Sequence, residues 1–103
     1  MSAMCDAVAA GLTVEFNYSG KLRVVKLGAH GHHRLTGNEL VRGYQTGGAS
    51  SSGVLPDWRL FYVTRMADLR ATTEPIGMLP ADFNPNDSDL IVHCSAPGQA
   101  ATA

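Results

Sequence analysis

"LTVEFNYSGKLRVVKLGA" spans residues 12–29, and its first seven residues alternate without a fault. Leu12, Val14, Phe16 and Tyr18 fall on one side, Thr13, Glu15 and Asn17 on the other. A period of two with apolar residues on one side marks a half-buried strand. "YSGK" then turns the chain, with Gly20 free to take a positive φ, and residues 21–29 return as a second strand. A two-residue turn pairs Tyr18 with Lys21 and Phe16 with Arg23, and puts Arg23, Val25 and Leu27 on the aromatic face. A three-residue turn with a bulge puts Leu22 and Val24 there instead. A slip of one residue inverts every side chain, so this register decides whether an arginine faces the core.

Working outward, residues 2–10 combine good helix formers with Met1, Met4, Cys5 and Val8 at helical spacing. Ser2 is placed to cap this short helix and Gly11 to end it. Downstream, "HGHHRLTGNE" (30–39) reads as a polar connection and residues 39–45 as a third strand. "TGGASSSGVLPD" (46–57) reads as a flexible loop and residues 58–66 as a fourth strand. Residues 68–73 suit a short fifth strand, and "LIVHC" (90–94) a last edge strand. The pattern fades after Pro75, and the tail from residue 96 is expected to be disordered. The expectation is one mainly β domain over residues 1–95. It is a small Sm-like or SH3-like antiparallel barrel of about five strands with a short N-terminal helix.

The chain has 103 residues, 45% of them hydrophobic and 17% charged, which suits one globular domain. No run approaches the length of a membrane span, and the start lacks the basic region of a signal peptide. A cytoplasmic protein with no membrane association is therefore expected. Cys5 and Cys94 then read as two separate thiols, with no C-x-x-C motif between them. "NYS" (17–19) matches a glycosylation pattern but is set aside without a secretion signal. The net charge is −1, yet all eight Lys and Arg residues lie between 21 and 70 with only three acids, so that segment carries +5. Such asymmetry builds a local positive field on a near-neutral protein.

Two clusters carry chemistry. Strict alternation along residues 58–66 puts Arg59, Phe61, Val63 and Arg65 on one face, where two guanidinium forks flank apolar side chains and suit phosphate or carboxylate. The structural alternative pairs Arg59 with Asp57 or Asp68 at the surface. Tyr18, Tyr44, Trp58, Phe61 and Tyr62 add ring faces that stack bases in single-strand binders, although Phe16 and Phe61 read better as core. The second cluster is His30, His32 and His33 with Glu39 nearby. His30 and His32 project to one side of an extended segment, as metal ligands do, but a His-rich surface loop is the preferred reading, and no metal or other cofactor is expected.

"AVAAGLTVEFNYSGKLRVV" (7–25) resembles the opening of a WYL domain: a small helix, a strand ending in Tyr, then an Arg soon after the turn. "WRLFYVTRM" (58–66) is similar to that family's closing pattern R-x-F-x-φ-x-R-φ, where φ is aliphatic; Arg59, Phe61, Val63, Arg65 and Met66 take those places. The resemblance covers roughly residues 3–73. It is to a divergent member, expected to stand alone: the Trp-Tyr-Leu triplet is replaced by "NELVRGYQ" (38–45), and the family's winged-helix DNA-binding domain is not expected. It implies a ligand-sensing barrel in bacterial regulation, whose ligand is a nucleotide or single-stranded nucleic acid held by basic residues. Arg59, Arg65, Arg23, Tyr18 and Arg42 would form that site. The expected function is thus a non-enzymatic module for an anionic ligand. The alternatives are an interaction protein that dimerises through barrel edges, and a small metal enzyme built on His30, His32 and Glu39.

Overall fold

The first hairpin takes the two-residue turn. In the computed structural model Ser19 and Gly20 have φ of 53° and 75°, the left-handed pair that a type I′ turn needs. Tyr18 pairs with Lys21 and Phe16 with Arg23. Arg23 therefore shares the inner face with Val25 and Leu27, and it is only 6% exposed.

The structure describes residues 3–49, 54–86 and 88–99. The helix α1 (Ala3–Ala9) precedes β1 (Leu12–Tyr18), β2 (Lys21–His33), β3 (Glu39–Gly48) and β4 (Asp57–Tyr62). A one-turn 3-10 helix (Val63–Arg65) leads to β5 (Met66–Pro75), and β6 (Leu90–Ser95) closes the order. All ladders are antiparallel, in the order β4-β3-β2-β1-β5, with β6 joined to β2. β2 is the hub. Its residues 21–25 pair with β1 and its residues 29–33 with β6, while β3 runs along its other edge. The changeover falls at Gly28, where the ladder to β3 shifts register between Leu27 and Ala29. An extra residue of this kind bends a strand.

The mainly β, antiparallel expectation with a short N-terminal helix holds, but the sheet does not close into a barrel. β4 and β5 end the strand order, and among the described residues no ladder joins them. Side chains fill that gap instead. Tyr18 packs edge-on against Phe61 at 5.0 Å, Phe61 against Phe16 at 5.1 Å, and the Tyr62 amide donates to the Tyr18 hydroxyl at 3.0 Å.

Each face of the sheet has its own cover. On the inner face Met4 and Val8 of α1 join Val14, Phe16, Val25, Leu27, Val41 and Phe61. On the other, Ile76, Leu79 and Ala96 pack with Tyr44, Trp58 and Phe83. The segment after Pro75, patternless in sequence, is thus a second apolar layer.

Several boundaries differ from expectation. The polar "HGHH" (30–33) is strand, because β3 and β6 pair with it from both sides. β3 runs on to Gly48, and β4 stops at Tyr62 where the 3-10 turn begins. Cys5 and Cys94 are not separate thiols: β6 lies beside β2 under α1, and the two form a disulfide with Cα atoms 5.8 Å apart. Of the tail, Ala96 is buried and Gln99 accepts from the Leu79 amide at 2.7 Å, so ordered chain continues past residue 95. The expected cap at Ser2, residues 50–53 of the glycine-serine connection, and residues 100–103 lie outside the described residues. No described helix is long and apolar enough to cross a membrane.

Candidate functional site

Arg23 is the starting point, because a guanidinium taken from water needs compensation. It is the one Lys, Arg, Asp or Glu among the described residues that is buried. Its companions are modest. Nη2 reaches the Tyr18 carbonyl at 3.5 Å, and the group sits 5.7 Å from the centre of the Tyr18 ring. Nε has no partner among the described residues, and no carboxylate pairs with the side chain there.

Gln45 shares this region. It lies opposite Val25, two residues along the same face of β2, and is fully buried. Its Nε2 donates to the carbonyls of Gly47 and Ala49, which leaves Oε1 unpartnered among the described residues. One buried cationic donor and one buried acceptor therefore stand open where β3 runs into the connection to β4.

The other residues singled out by sequence distribute unevenly. Arg59 projects from the same sheet face as Phe61, opposite Gly43. It donates to the Val54 carbonyl at 3.2 Å and pairs with Asp57 at 3.5 Å, the partner the surface alternative named. Arg65 sits on the 3-10 turn, so it does not continue the strand face of Arg59, and its guanidinium lies 4.7 Å over the Tyr62 ring. Arg42 points to the opposite face. There it pairs with Asp89 at 3.6 Å and lines a cavity of about 140 Å3 with Trp58, Asp82, Phe83 and Asn84. The fold thus gathers Arg23 and Tyr18, sets Arg59 on their face, and separates Arg65 and Arg42 from them.

The histidine cluster divides too. His30 is 3% exposed, and its Nε2 lies 2.6 Å from Glu39 Oε2. A carboxylate only accepts, so Nε2 carries a proton, and Nδ1 is the nitrogen on the far side of the ring. That nitrogen faces two sulfurs, Cys5 Sγ at 3.3 Å and Cys94 Sγ at 3.7 Å. His32 turns away to bond His93 at 2.9 Å, and His33 Nδ1 accepts the amides of Leu35 and Thr36. Sequence reasoning found His30 and Glu39 but missed both cysteines as their neighbours, since 89 residues separate the two. It also passed over Gln45, although strand alternation already places Gln45 on the face of Val41. Comparison of the chain with protein-family models, curated proteins and solved structures finds no match.

Proposed function

We propose that the protein is a non-enzymatic binding module of WYL type. Its inner face around Arg23 accepts an anionic ligand, a nucleotide or a short single-stranded nucleic acid, in cytoplasmic bacterial regulation. The carrying observation is the Arg23 guanidinium, nine-tenths buried without a carboxylate among the described residues. An anion would supply the missing counter-charge, and Tyr18 would offer its ring to a base. Arg59 would add a second guanidinium by leaving Asp57, an exposed and therefore weak partner. The antiparallel hairpin behind a short N-terminal helix is a feature the resemblance implies, while the closed barrel it also implies is not formed.

The test is a fluorescence-anisotropy titration with labelled oligonucleotides and nucleotides at two salt concentrations. A charge-assisted hydrogen bond contributes about 1.5–3 kcal/mol, so Arg23→Met and Arg59→Ala each weaken binding tenfold or more. Lys21→Ala, on the exposed turn, changes affinity little. Arg65→Ala and Arg42→Ala fall between, because neither side chain shares the face of Arg23. Absence of salt-sensitive binding by the unmodified chain overturns the reading.

The competing reading is an interaction module, favoured by the open sheet. β5 is a ten-residue edge strand with most of its side chains exposed, and unpaired edges invite a second chain. It predicts a concentration-dependent dimer that Arg23→Met leaves intact.

A further inference from the structure

The disulfide between Cys5 and Cys94 does not explain the residue beside it. A structural cross-link needs no imidazole against its sulfurs. Here His30, 3% exposed, is held from behind by Glu39 and aims Nδ1 at both. In the neutral imidazole Nδ1 is an acceptor, and disulfide sulfur carries no proton to donate to it. Among the described residues nothing else is hydrogen-bonded to Nδ1. Reduction gives those sulfurs a proton or a cation to share with the neutral Nδ1 acceptor.

We propose that the reduced chain holds a zinc-class ion on Cys5 Sγ, Cys94 Sγ and His30 Nδ1, and that oxidation to the disulfide releases it. The three donor atoms already lie within 4.8 Å of one another. Tetrahedral zinc, with bonds of about 2.3 Å to sulfur and about 2.0 Å to nitrogen, sets nitrogen and sulfur about 3.5 Å apart. The observed separations of 3.3 and 3.7 Å straddle that value. Only the sulfur–sulfur distance must grow, to about 3.8 Å on the same geometry, and cleavage of the S–S bond permits that growth. Two thiolates and an imidazole favour zinc over harder cations. The Glu39–His30 pair is the outer carboxylate that fixes a ligating imidazole and raises its basicity. Three protein ligands leave the fourth position to water.

The release step balances with a peroxide as oxidant. Each thiolate gives up one electron and the S–S bond forms. The peroxide O–O bond breaks, takes both electrons and two solvent protons, and leaves as two waters. The zinc ion departs with its charge unchanged. Cys5 and Cys94 are both partly exposed, so a small oxidant reaches them. This inference stands apart from the anion site, which involves none of these residues.

The experiment titrates the reduced chain, under anaerobic conditions, with Co2+ as a spectroscopic stand-in. One equivalent is expected to bind, with thiolate-to-cobalt charge transfer and intense tetrahedral ligand-field bands. One equivalent of Zn2+ removes them, and one equivalent of hydrogen peroxide then releases the zinc to a chromogenic chelator. Cys94→Ser and His30→Ala lower affinity at least 100-fold. Glu39→Gln keeps the bands but lowers affinity 10- to 100-fold, and His32→Ala changes nothing. A cobalt spectrum without thiolate charge transfer overturns the proposal, as does metal retained after peroxide. Should Cys94→Ser fail to fold, Glu39→Gln decides, since it keeps both thiols; unchanged affinity in that variant is equally fatal.

Discussion

β2 buries one basic side chain on each of its halves and serves the two differently. Arg23, on the half paired with β1, meets a ring, one distant carbonyl and no carboxylate among the described residues. His30, on the half paired with β6, meets Glu39 on one nitrogen and two sulfurs on the other. One strand thus carries a basic group closed in on both sides by the chain's own side chains and another with no counter-charge among the described residues. A ligand that bound the second only in the folded chain would add to stability.

Breaking the cross-link tests the closed half most severely. In the chain-entropy treatment a disulfide closing 89 residues contributes about 4–5 kcal/mol. Reduction without metal is expected to lower the urea-unfolding free energy by that amount, and zinc to restore part of it. A loss under about 1 kcal/mol would mean that β6 holds α1 without the bond. Next comes His30→Ala, which leaves a cavity among α1, β2 and β6. Equilibrium unfolding should show a loss of about 2–4 kcal/mol.

Gly20→Ala probes the hairpin that carries Arg23. A Cβ in the left-handed region costs about 1–2 kcal/mol, read as a lower denaturation midpoint with an unchanged slope. A change in the slope would point to a different register. Arg23→Met is expected to cost no stability. Replacing an uncompensated buried charge with a similar apolar volume is neutral or stabilising by about 1–4 kcal/mol, although the same change would weaken the anion binding proposed above. A loss of 2 kcal/mol or more by thermal unfolding would show that the chain itself satisfies Arg23, and the contrast between the halves would fall.

The hairpin was legible because its information is local. Alternation from Leu12 to Tyr18 and a turn glycine specify two strands, and the left-handed pair Ser19–Gly20 selects between the two registers that alternation left open. The second half of β2 was not legible, because glycine and histidine in "HGHH" read as a connection until β3 and β6 bind it from both sides. Close approach there even requires glycine: a Cβ on Gly31 would overlap the Ile91 carbonyl. Arg59 and Arg65 looked equivalent by spacing, and the 3-10 turn separated them, a backbone choice that alternation does not encode. The Cys–His cluster depends on two chain ends meeting, which no window of sequence contains.

The division of β2 between β1 and β6 also sets an order of assembly. The hairpin of β1 and β2 closes within the first third of the chain. The edge of β2 from Ala29 to His33 waits for residues 90–95. During synthesis some sixty residues must follow before that edge finds its own partner. Until then it is an uncapped ladder, available to the same strand of a neighbouring copy. A newborn chain in a crowded cell is therefore most exposed to strand exchange at the segment that, once folded, is among its best protected.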